Sequence, residues 1–157
     1  MSVDKLNPRE ALGFLSWKVS RLFINELTTR FIDEGMDITV EQCRVLIPLA
    51  QVDGLSQGRL CNVLSQEKTG VSRLVVALEK RGLVRREASK EDRRVKHIFI
   101  TDAGRELVEP AVDTILENYS NLVRGIDPEE LAICKRVLWQ ILEPTLDEAC
   151  RGEGAGR

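Results

Sequence analysis

One short segment after Gly82 departs from the helical spacing that runs through the rest of this chain. Residues 83–87 alternate as in a strand, residues 88–94 are polar, and residues 95–100 alternate again. The segments on both sides repeat their apolar residues every three or four positions, which is typical of amphipathic helices. The sequence therefore predicts a mainly α-helical protein with one small two-stranded β-hairpin whose tip is long and charged.

Four helical segments precede the hairpin. The first, residues 8–35, carries an apolar stripe over about five turns, and a helix of that kind usually packs against a partner helix. A capping box at Thr39 begins the second, Ser56 begins a short third, and the fourth, residues 67–81, ends at Gly82. Only a brief break separates the third from the fourth, so these two form a helix-turn-helix.

Two further helices follow the hairpin. Thr101 begins the fifth, and Asp127, with Pro128 at the first helical position, begins the sixth. Both carry apolar stripes. We therefore predict a winged helix-turn-helix flanked by long N- and C-terminal dimerisation helices. The predicted boundaries are 8–35 and 102–148 for the helical dimerisation region, 39–101 for the winged helix-turn-helix domain, and 151–157 for a disordered tail.

The fourth helix has the position of a recognition helix, which enters the major groove of DNA and reads base edges from its N-terminal half. Its first turns carry cations and short hydroxyls, the side chains that contact guanine and thymine edges or phosphate oxygens. The alternative for each residue alone is an ordinary solvated helix surface. We predict base contacts from Lys68, Thr69, Ser72 and Arg73, backbone contacts from Ser56, Gln57 and Arg59, and nearby phosphates at Lys80 and Arg81.

The hairpin tip, residues 89–94, has the composition of a wing. Long cations at such a tip can reach a minor groove, where narrow A·T tracts concentrate negative potential. Asp92 stands two residues before Arg94, and an ion pair between them would hold the loop in one conformation. The alternative is an ordinary charged turn, whose surface ion pair contributes roughly 0–1 kcal/mol. The predicted wing residues are Lys90, Asp92, Arg93 and Arg94.

The charge distribution agrees with a polyanionic partner. The whole chain has a net charge of −2, but residues 56–101 hold 11 Lys and Arg against 5 Asp and Glu. A basic module in an acidic frame is typical of a nucleic-acid-binding domain, although charge alone leaves open a solvated charged face. Aromatic residues make up only 4% of the chain, which argues against a base-stacking surface for single strands.

Four stretches of this sequence resemble the MarR family of transcriptional regulators. Residues 82–86 read GLVRR, and residues 92–101 read DRRVKHIFIT, which is similar to the family's wing pattern DxRxxxLxLT. Residues 56–58, SQG, and residues 68–74, KTGVSRL, resemble its helix-turn-helix. The resemblance covers nearly the whole chain, since that family also has six helices with the hairpin between the fourth and the fifth.

The resemblance implies a regulator that binds double-stranded DNA as a homodimer on a palindromic operator, with its first, fifth and sixth helices interlocked. It also implies a repressor whose DNA binding is relieved by a small ligand. Three departures from the family, Pro48, Gln66 and Gly70, mean that the operator sequence does not transfer from relatives. The alternative is a winged-helix protein-interaction module without sequence-specific DNA binding.

An enzyme or a metalloprotein has little support. Acid–base or nucleophilic catalysis needs a base beside a nucleophile, but the sole histidine, His97, lies in a predicted strand beside Lys96 and Phe99. The cysteines form no CxxC or Cys/His cluster. We therefore expect neither catalysis, nor a metal, nor a cofactor. The peroxide-sensing branch of the family carries a cysteine early in the first helix, but residues 1–37 contain none. We expect reduced thiols, three buried and one exposed in the tail, at Cys43, Cys61, Cys134 and Cys150.

A small-molecule effector could bind between the dimerisation helices and the winged helix. The predicted residues are Trp17, Arg21 and Trp139, and the alternative is that both tryptophans only pack in the core or at an interface. No stretch approaches the roughly 20 apolar residues of a membrane span, and residues 1–8 lack an apolar secretory segment. We therefore predict a cytoplasmic protein without a membrane partner.

Overall fold

The fold is mainly helical, with one small antiparallel sheet, as the sequence predicts. The computed structural model describes residues 7–52, 54–89 and 92–146. The elements in chain order are α1 (Leu12–Asp33), α2 (Val40–Gln51), β1 (Leu55–Ser56), α3 (Gln57–Leu64), α4 (Lys68–Lys80), β2 (Val84–Ala88), β3 (Lys96–Ile100), α5 (Asp102–Leu122), α6 (Pro128–Leu142) and a 3₁₀ turn (Glu143–Thr145).

The sheet has three strands in the order β1-β3-β2. The predicted hairpin corresponds to β2 and β3, and the sequence did not predict the third strand, β1. In β1, Leu55 pairs with Ile98, and on the other side of β3, Val84 pairs with Ile100. A strand of two residues is too short to show an alternating pattern, which is why the sequence hides it. The hairpin strands are shifted slightly from their predicted bounds, since Ala88 belongs to β2.

The core lies where α2, α3 and α4 meet one face of the sheet. The apolar stripe of α4 is buried as predicted, because its spacing of three and four residues keeps those side chains on one side of the helix. Side chains with no exposed surface come from these three helices, from the sheet and from α5, namely Val45, Leu46, Leu49, Leu60, Val71, Val75, Leu78, Ile98 and Ala111.

Local capping signals fix most of the helix starts. The capping box of α2 is confirmed, since Thr39 Oγ1 accepts the Gln42 amide at 3.2 Å and Gln42 Oε1 accepts the Thr39 amide at 3.1 Å. The predicted start of α1 at residue 8 is wrong, and the helix begins at Leu12. The reason is a separate turn on Asn7, whose carbonyl accepts the amides of Glu10 and Ala11 at 3.0 Å.

A cluster of charged and polar side chains joins α1 to α5. Arg30 Nη2 donates to Glu34 Oε1 at 3.0 Å and to Glu117 Oε2 at 2.8 Å. The hydroxyl of the buried Thr114 donates to Glu34 Oε2 at 2.8 Å. The hydrogen bonds to Glu117 and then to Glu34 raise the pKa of Arg30. These contacts hold the C-terminal half of α1 on the middle of α5.

The start of α5 is fastened to the base of the hairpin. The Thr101 amide donates to the Leu83 carbonyl at 3.0 Å, and the Thr101 hydroxyl donates to the Gly82 carbonyl at 2.7 Å. Gly104 packs directly against the same backbone, so that a Cβ there would overlap the Leu83 carbonyl oxygen and lie 2.8 Å from Ile100 Cγ1. Only glycine allows this close approach of α5 to the hairpin.

We expect Gly104→Ala to lower the free energy of unfolding by about 1–3 kcal/mol or more, because the new methyl group overlaps backbone atoms that cannot move aside. The matched control is Gly70→Ala, whose Cβ would meet nothing within 4 Å. That change should stabilise the protein by up to about 1 kcal/mol through helix propensity. Urea unfolding at one protein concentration measures both changes, and a Gly104→Ala protein as stable as the parent would contradict this account of the contact.

The helix α6 buries no side chain within the chain. Cys134 on α6 is therefore exposed, and Cys61 is only half-buried, so the prediction of three buried cysteines is wrong for both. Cys43 is buried, and burial raises the pKa of its thiol to about 12. Cys150 and the predicted tail, residues 151–157, lie outside the described residues.

The described residues hold neither a membrane-spanning helix nor a group of side chains suited to a metal ion. Within residues 7–52, 54–89 and 92–146, no helix has the length and apolar character needed to cross a membrane. In the same part of the chain, no three His, Cys, Asp or Glu side chains are grouped so that they could hold a metal ion.

Candidate nucleic-acid interface

The outward face of α4 forms one side of a shallow, open groove. The opposite face of the helix is fixed in the core by Val71, Val75 and Leu78, so the intervening residues point away from the protein. The structure brings together six of the predicted DNA-contacting residues and two further ones along this groove: Gln57, Lys68, Thr69, Ser72, Arg73, Val76, Ala77 and Lys80.

The N-terminal end of α4 is open. Glu67 precedes the helix and makes no side-chain capping bond. The tight turn before it places Ser65 in the left-handed region, with a φ of 49°. The positive end of the helix dipole therefore lies beside Lys68 and Thr69, both of which are exposed. An anionic surface in the groove would meet positive potential from the N-terminal end of α4 and from the ammonium group of Lys68.

The three residues predicted to contact the DNA backbone differ in what the structure shows. Ser56 is half-buried, and its hydroxyl accepts the Arg59 amide at 3.3 Å, so it serves as the N-cap of α3. The side chain of Arg59 is exposed, and Gln57 lines the groove. Of these three residues, Gln57 and Arg59 have side chains that form no hydrogen bond or ion pair within the described residues.

The cations of the groove differ from the other arginines of the fold. Lys68, Arg73 and Lys80 form no ion pair within the described part of the chain. Arg81, in contrast, donates to the carboxylate and to the carbonyl of Asp37, both at 2.7 Å. Arg81 therefore fastens the end of α4 to the segment before α2, and its predicted place near phosphates stays a prediction.

Asp92 holds Arg94 at the wing tip, as predicted. Its Oδ1 accepts the Arg94 amide at 3.0 Å and the Nε at 3.2 Å, while Oδ2 accepts Nη2 at 3.4 Å. The bond from the Arg94 amide, followed by those from its guanidinium, lowers the pKa of Asp92. The Arg94 side chain is nonetheless 92% exposed. Arg93 is exposed too, and Lys90, the fourth predicted wing residue, lies outside the described residues.

Two arginines of the hairpin are engaged within the protein. Arg86 on β2 donates through Nε and Nη2 to Glu79 Oε2 on α4, with the Nε bond at 2.9 Å. Arg85, on the opposite face of β2, pairs with Glu87 and lies 4.6 Å from the centre of the Phe99 ring. A count of Lys and Arg therefore overstates the positive charge available to a partner, because Arg85 and Arg86 are already paired with Glu87 and Glu79.

The structure does not bring the predicted effector residues into a described cavity. Trp17 is exposed on α1, where its ring lies 6.1 Å from that of Phe14 and 5.8 Å from Lys18 Nζ. Arg21 and Trp139 are exposed as well, the latter on α6. Neither of the two described cavities is lined by any of these three residues. The effector site therefore stays a prediction.

Comparisons with known proteins agree on one family. A MarR family model matches residues 36–95, which hold the helix-turn-helix and most of the hairpin. Transcriptional regulator HosA of Escherichia coli O111:H- is 27% identical over 112 residues, 69% of this chain and 83% of that protein. Its name, like those of the other curated relatives, is that of a regulator and not of an enzyme.

Solved structures extend the similarity to the whole fold. The crystal structure of the transcriptional regulator PA3341 is 34% identical, covers 84% of this chain and 96% of its own, and has a TM-score of 0.72. The structure of a MepR–DNA complex from S. aureus is 29% identical, covers 85% of this chain and 98% of its own, and has a TM-score of 0.73. The six helices of the described residues, the wing and these similarities together show that the chain belongs to the MarR family of winged-helix transcriptional regulators.

Proposed function

We propose that this regulator binds double-stranded DNA in a sequence-specific manner as a homodimer, and that it represses transcription until a small-molecule effector binds. The groove on α4 is the observation that carries the proposal. Its cations Lys68, Arg73 and Lys80 are unpaired within the described residues, whereas Arg81 and Arg86 are engaged inside the protein. The similarity to MepR, whose structure is that of a DNA complex, supports the same function.

In this proposal α4 enters the major groove. Lys68, Thr69, Ser72 and Arg73 contact base edges there, because they line the exposed first turns of the helix. The side chains next to the groove serve the phosphates, since exposed cations and amides position a protein on the duplex without reading its sequence. The proposed phosphate contacts are Gln57 and Arg59, with Ser56 contributing its hydroxyl hydrogen.

The wing reaches the adjacent minor groove. Arg94 is exposed but held by Asp92, so less conformational entropy is lost when its guanidinium docks. Lys90 and Arg93 add positive charge on either side of Asp92. A narrow A·T minor groove is the chemical environment that such cations favour.

A homodimer accounts for the apolar surface of α1 and α6, which a monomer would leave in water. Exposed apolar side chains in such number mark interaction sites. A two-fold dimer would place two copies of α4 on half-sites about 10 base pairs apart, and hence on a palindromic operator. The exposed apolar side chains are Leu12, Phe14, Leu15, Trp17, Val19, Leu22 and Ile32 on α1, and Ile133, Val137, Leu138, Trp139, Ile141 and Leu142 on α6.

The same surface includes the residues that we assign to the effector site. Trp17 and Arg21 lie one turn apart on α1, and Trp139 lies on α6. All three are exposed in the single chain, so a cavity that includes them would need the partner subunit to close it. An effector bound there would act on the geometry of the dimer, and through it on the spacing of the two α4 helices.

Selection from a random duplex library tests the proposed function. We expect the protein to enrich an inverted repeat whose half-sites are about 10 base pairs apart. A reporter gene that carries this repeat should be repressed when the protein is present. Failure to enrich any sequence would favour the alternative, a winged helix that binds another protein.

We expect Asp92→Ala to weaken binding to the selected duplex only while Arg94 is present. The carboxylate contributes by orienting the Arg94 guanidinium, so the effect of Asp92→Ala should largely vanish in an Arg94→Ala background. Fluorescence anisotropy titrations of the four proteins complete this double-mutant cycle. Additive losses from the two substitutions would show that Asp92 does not position Arg94.

A further inference from the structure

Glu79 and Arg86 join the recognition helix to the wing. Glu79 lies in the last turn of α4, and Arg86 is the third residue of β2. Two guanidinium nitrogens of Arg86 donate to one carboxylate oxygen of Glu79, and the side chains are only 24% and 37% exposed. The pKa of Glu79 is lowered, mainly by the hydrogen bond from Arg86, so the carboxylate stays charged.

The pair lies where the hairpin leaves the core. Val84 and Ile100 at its base are buried, and Arg86 stands opposite Ile98, the last fully buried residue before the tip. Further out, Glu87, Ala88 and Lys96 are all exposed. On the β3 side the hairpin is held by β1, which pairs with Ile98 and His97. On the β2 side the ion pair of Arg86 with Glu79 joins the hairpin to α4, so this pair contributes to the direction in which the outer part of the wing projects.

The sign of the charge makes Glu79 unusual at this place. It lies on the same helix as Lys68, Arg73 and Lys80, on the side of the protein that faces DNA in the proposed function. A carboxylate there repels phosphates and lowers affinity for any duplex. Its ion pair with Arg86 gives it a compensating role that a neutral residue would not fill.

We infer that Glu79 and Arg86 are positioning residues, which set the angle between α4 and the wing so that both can contact DNA at once. The inference rests on the proposed DNA binding. Neither residue needs to touch DNA, since the pair acts by setting the direction of the wing that carries Arg94. Its loss should therefore lower the affinity for the selected duplex relative to a random one, and leave the fold intact.

The test compares Glu79→Gln with Glu87→Gln. Both changes remove one carboxylate from an ion pair with an arginine of β2, but the Glu87 pair lies within a single strand and joins it to no other element. Electrostatics alone predicts that both variants bind all duplexes more tightly, because a negative charge is lost. Positioning predicts the opposite sign for Glu79→Gln on the selected duplex.

We expect Glu79→Gln to lower the ratio of selected-duplex to random-duplex affinity about tenfold, in the range for residues of one ion-pair network. Glu87→Gln should keep the parent ratio. In an Arg94→Ala background the effect of Glu79→Gln should disappear. A melting temperature within a few degrees of the parent shows that Glu79→Gln is folded, and Arg86→Lys, which keeps the charge, serves as the second variant if it is not.

The outcomes are distinct. An unchanged or increased ratio for Glu79→Gln, or a loss that is additive with Arg94→Ala, overturns the positioning role while DNA binding by the parent stands. Equal losses in Glu79→Gln and Glu87→Gln overturn it too, because the Glu87 pair joins β2 to no other element and cannot set the angle of the wing. If the parent protein enriches no duplex at all, the proposed function fails and the inference fails with it.

Discussion

Ile141→Asp should convert the protein to a monomer and lower its affinity for the selected duplex at least about 100-fold, because two linked binding modules gain that much from their effective concentration. Ile141 is half exposed on α6, within the apolar surface that we assign to the dimer. An aspartate there would place an unpaired charge in an apolar interface. The chain itself should stay folded, since no side chain of α6 is buried within it.

Light scattering and DNA titration measure the two effects together. The matched control is Gln140→Asp, which introduces the same residue at an exposed polar position next to Ile141. That variant should keep the dimer mass and the parent affinity. A dimeric Ile141→Asp protein would show that α6 is not the interface, and a monomer that binds the duplex as tightly as the parent would show that dimerisation is not needed.

Arg73→Ala should cost roughly 1–3 kcal/mol on the selected duplex and relax discrimination at one position of each half-site, because a bidentate contact to guanine contributes about that much. Arg73 lines the groove on α4 and has no ion-pair partner within the described residues. Removing it therefore leaves no buried charge behind. The loss should be much smaller on random duplexes.

Arg59→Ala is the control for Arg73→Ala. Its side chain is exposed on α3, where we propose a phosphate contact. This variant should weaken all duplexes alike and reduce the slope of log affinity against log salt by about one unit per phosphate contact. Selection with each variant gives the readout. If Arg73→Ala enriches the same repeat with unchanged stringency, Arg73 does not read a base.

Most of the fold can be predicted from local signals in the sequence. Each depends on residues within one turn, as with the capping box at Thr39, the N-cap at Thr101, and Gly82, whose φ of 70° ends α4. The wing pair of Asp92 and Arg94 is equally local, two residues apart, and its geometry was therefore accessible from the sequence. Where one turn of chain holds the whole interaction, the sequence alone suffices.

Contacts between distant elements cannot be predicted from the sequence in this way. Arg81 and Asp37 lie 44 residues apart, and Arg30 and Glu117 lie 87 apart, so no spacing rule connects them. Even Arg86 and Glu79, seven residues apart, meet only because the hairpin folds back on α4. Two of these pairs engage cations of the basic module, Arg81 and Arg86, within the protein.

The apolar stripe of α1 shows a second limit. Periodicity correctly marks one face of the helix as apolar, but it does not say which surface covers that face. Leu27 and Phe31 are buried within the chain, whereas Leu12 and Leu22 are about half exposed. One continuous pattern therefore serves the core at one end and, in the proposed dimer, the partner subunit at the other.

The salt dependence of binding to the selected and to a random duplex tests the central claim most directly. We expect both affinities to fall linearly with salt on a logarithmic scale, because phosphate contacts release counterions. At physiological salt the selected duplex should bind at least about 10³-fold more tightly than the random one. Equal affinities for the two duplexes, or binding that does not change with salt, would contradict sequence-specific DNA recognition by this protein.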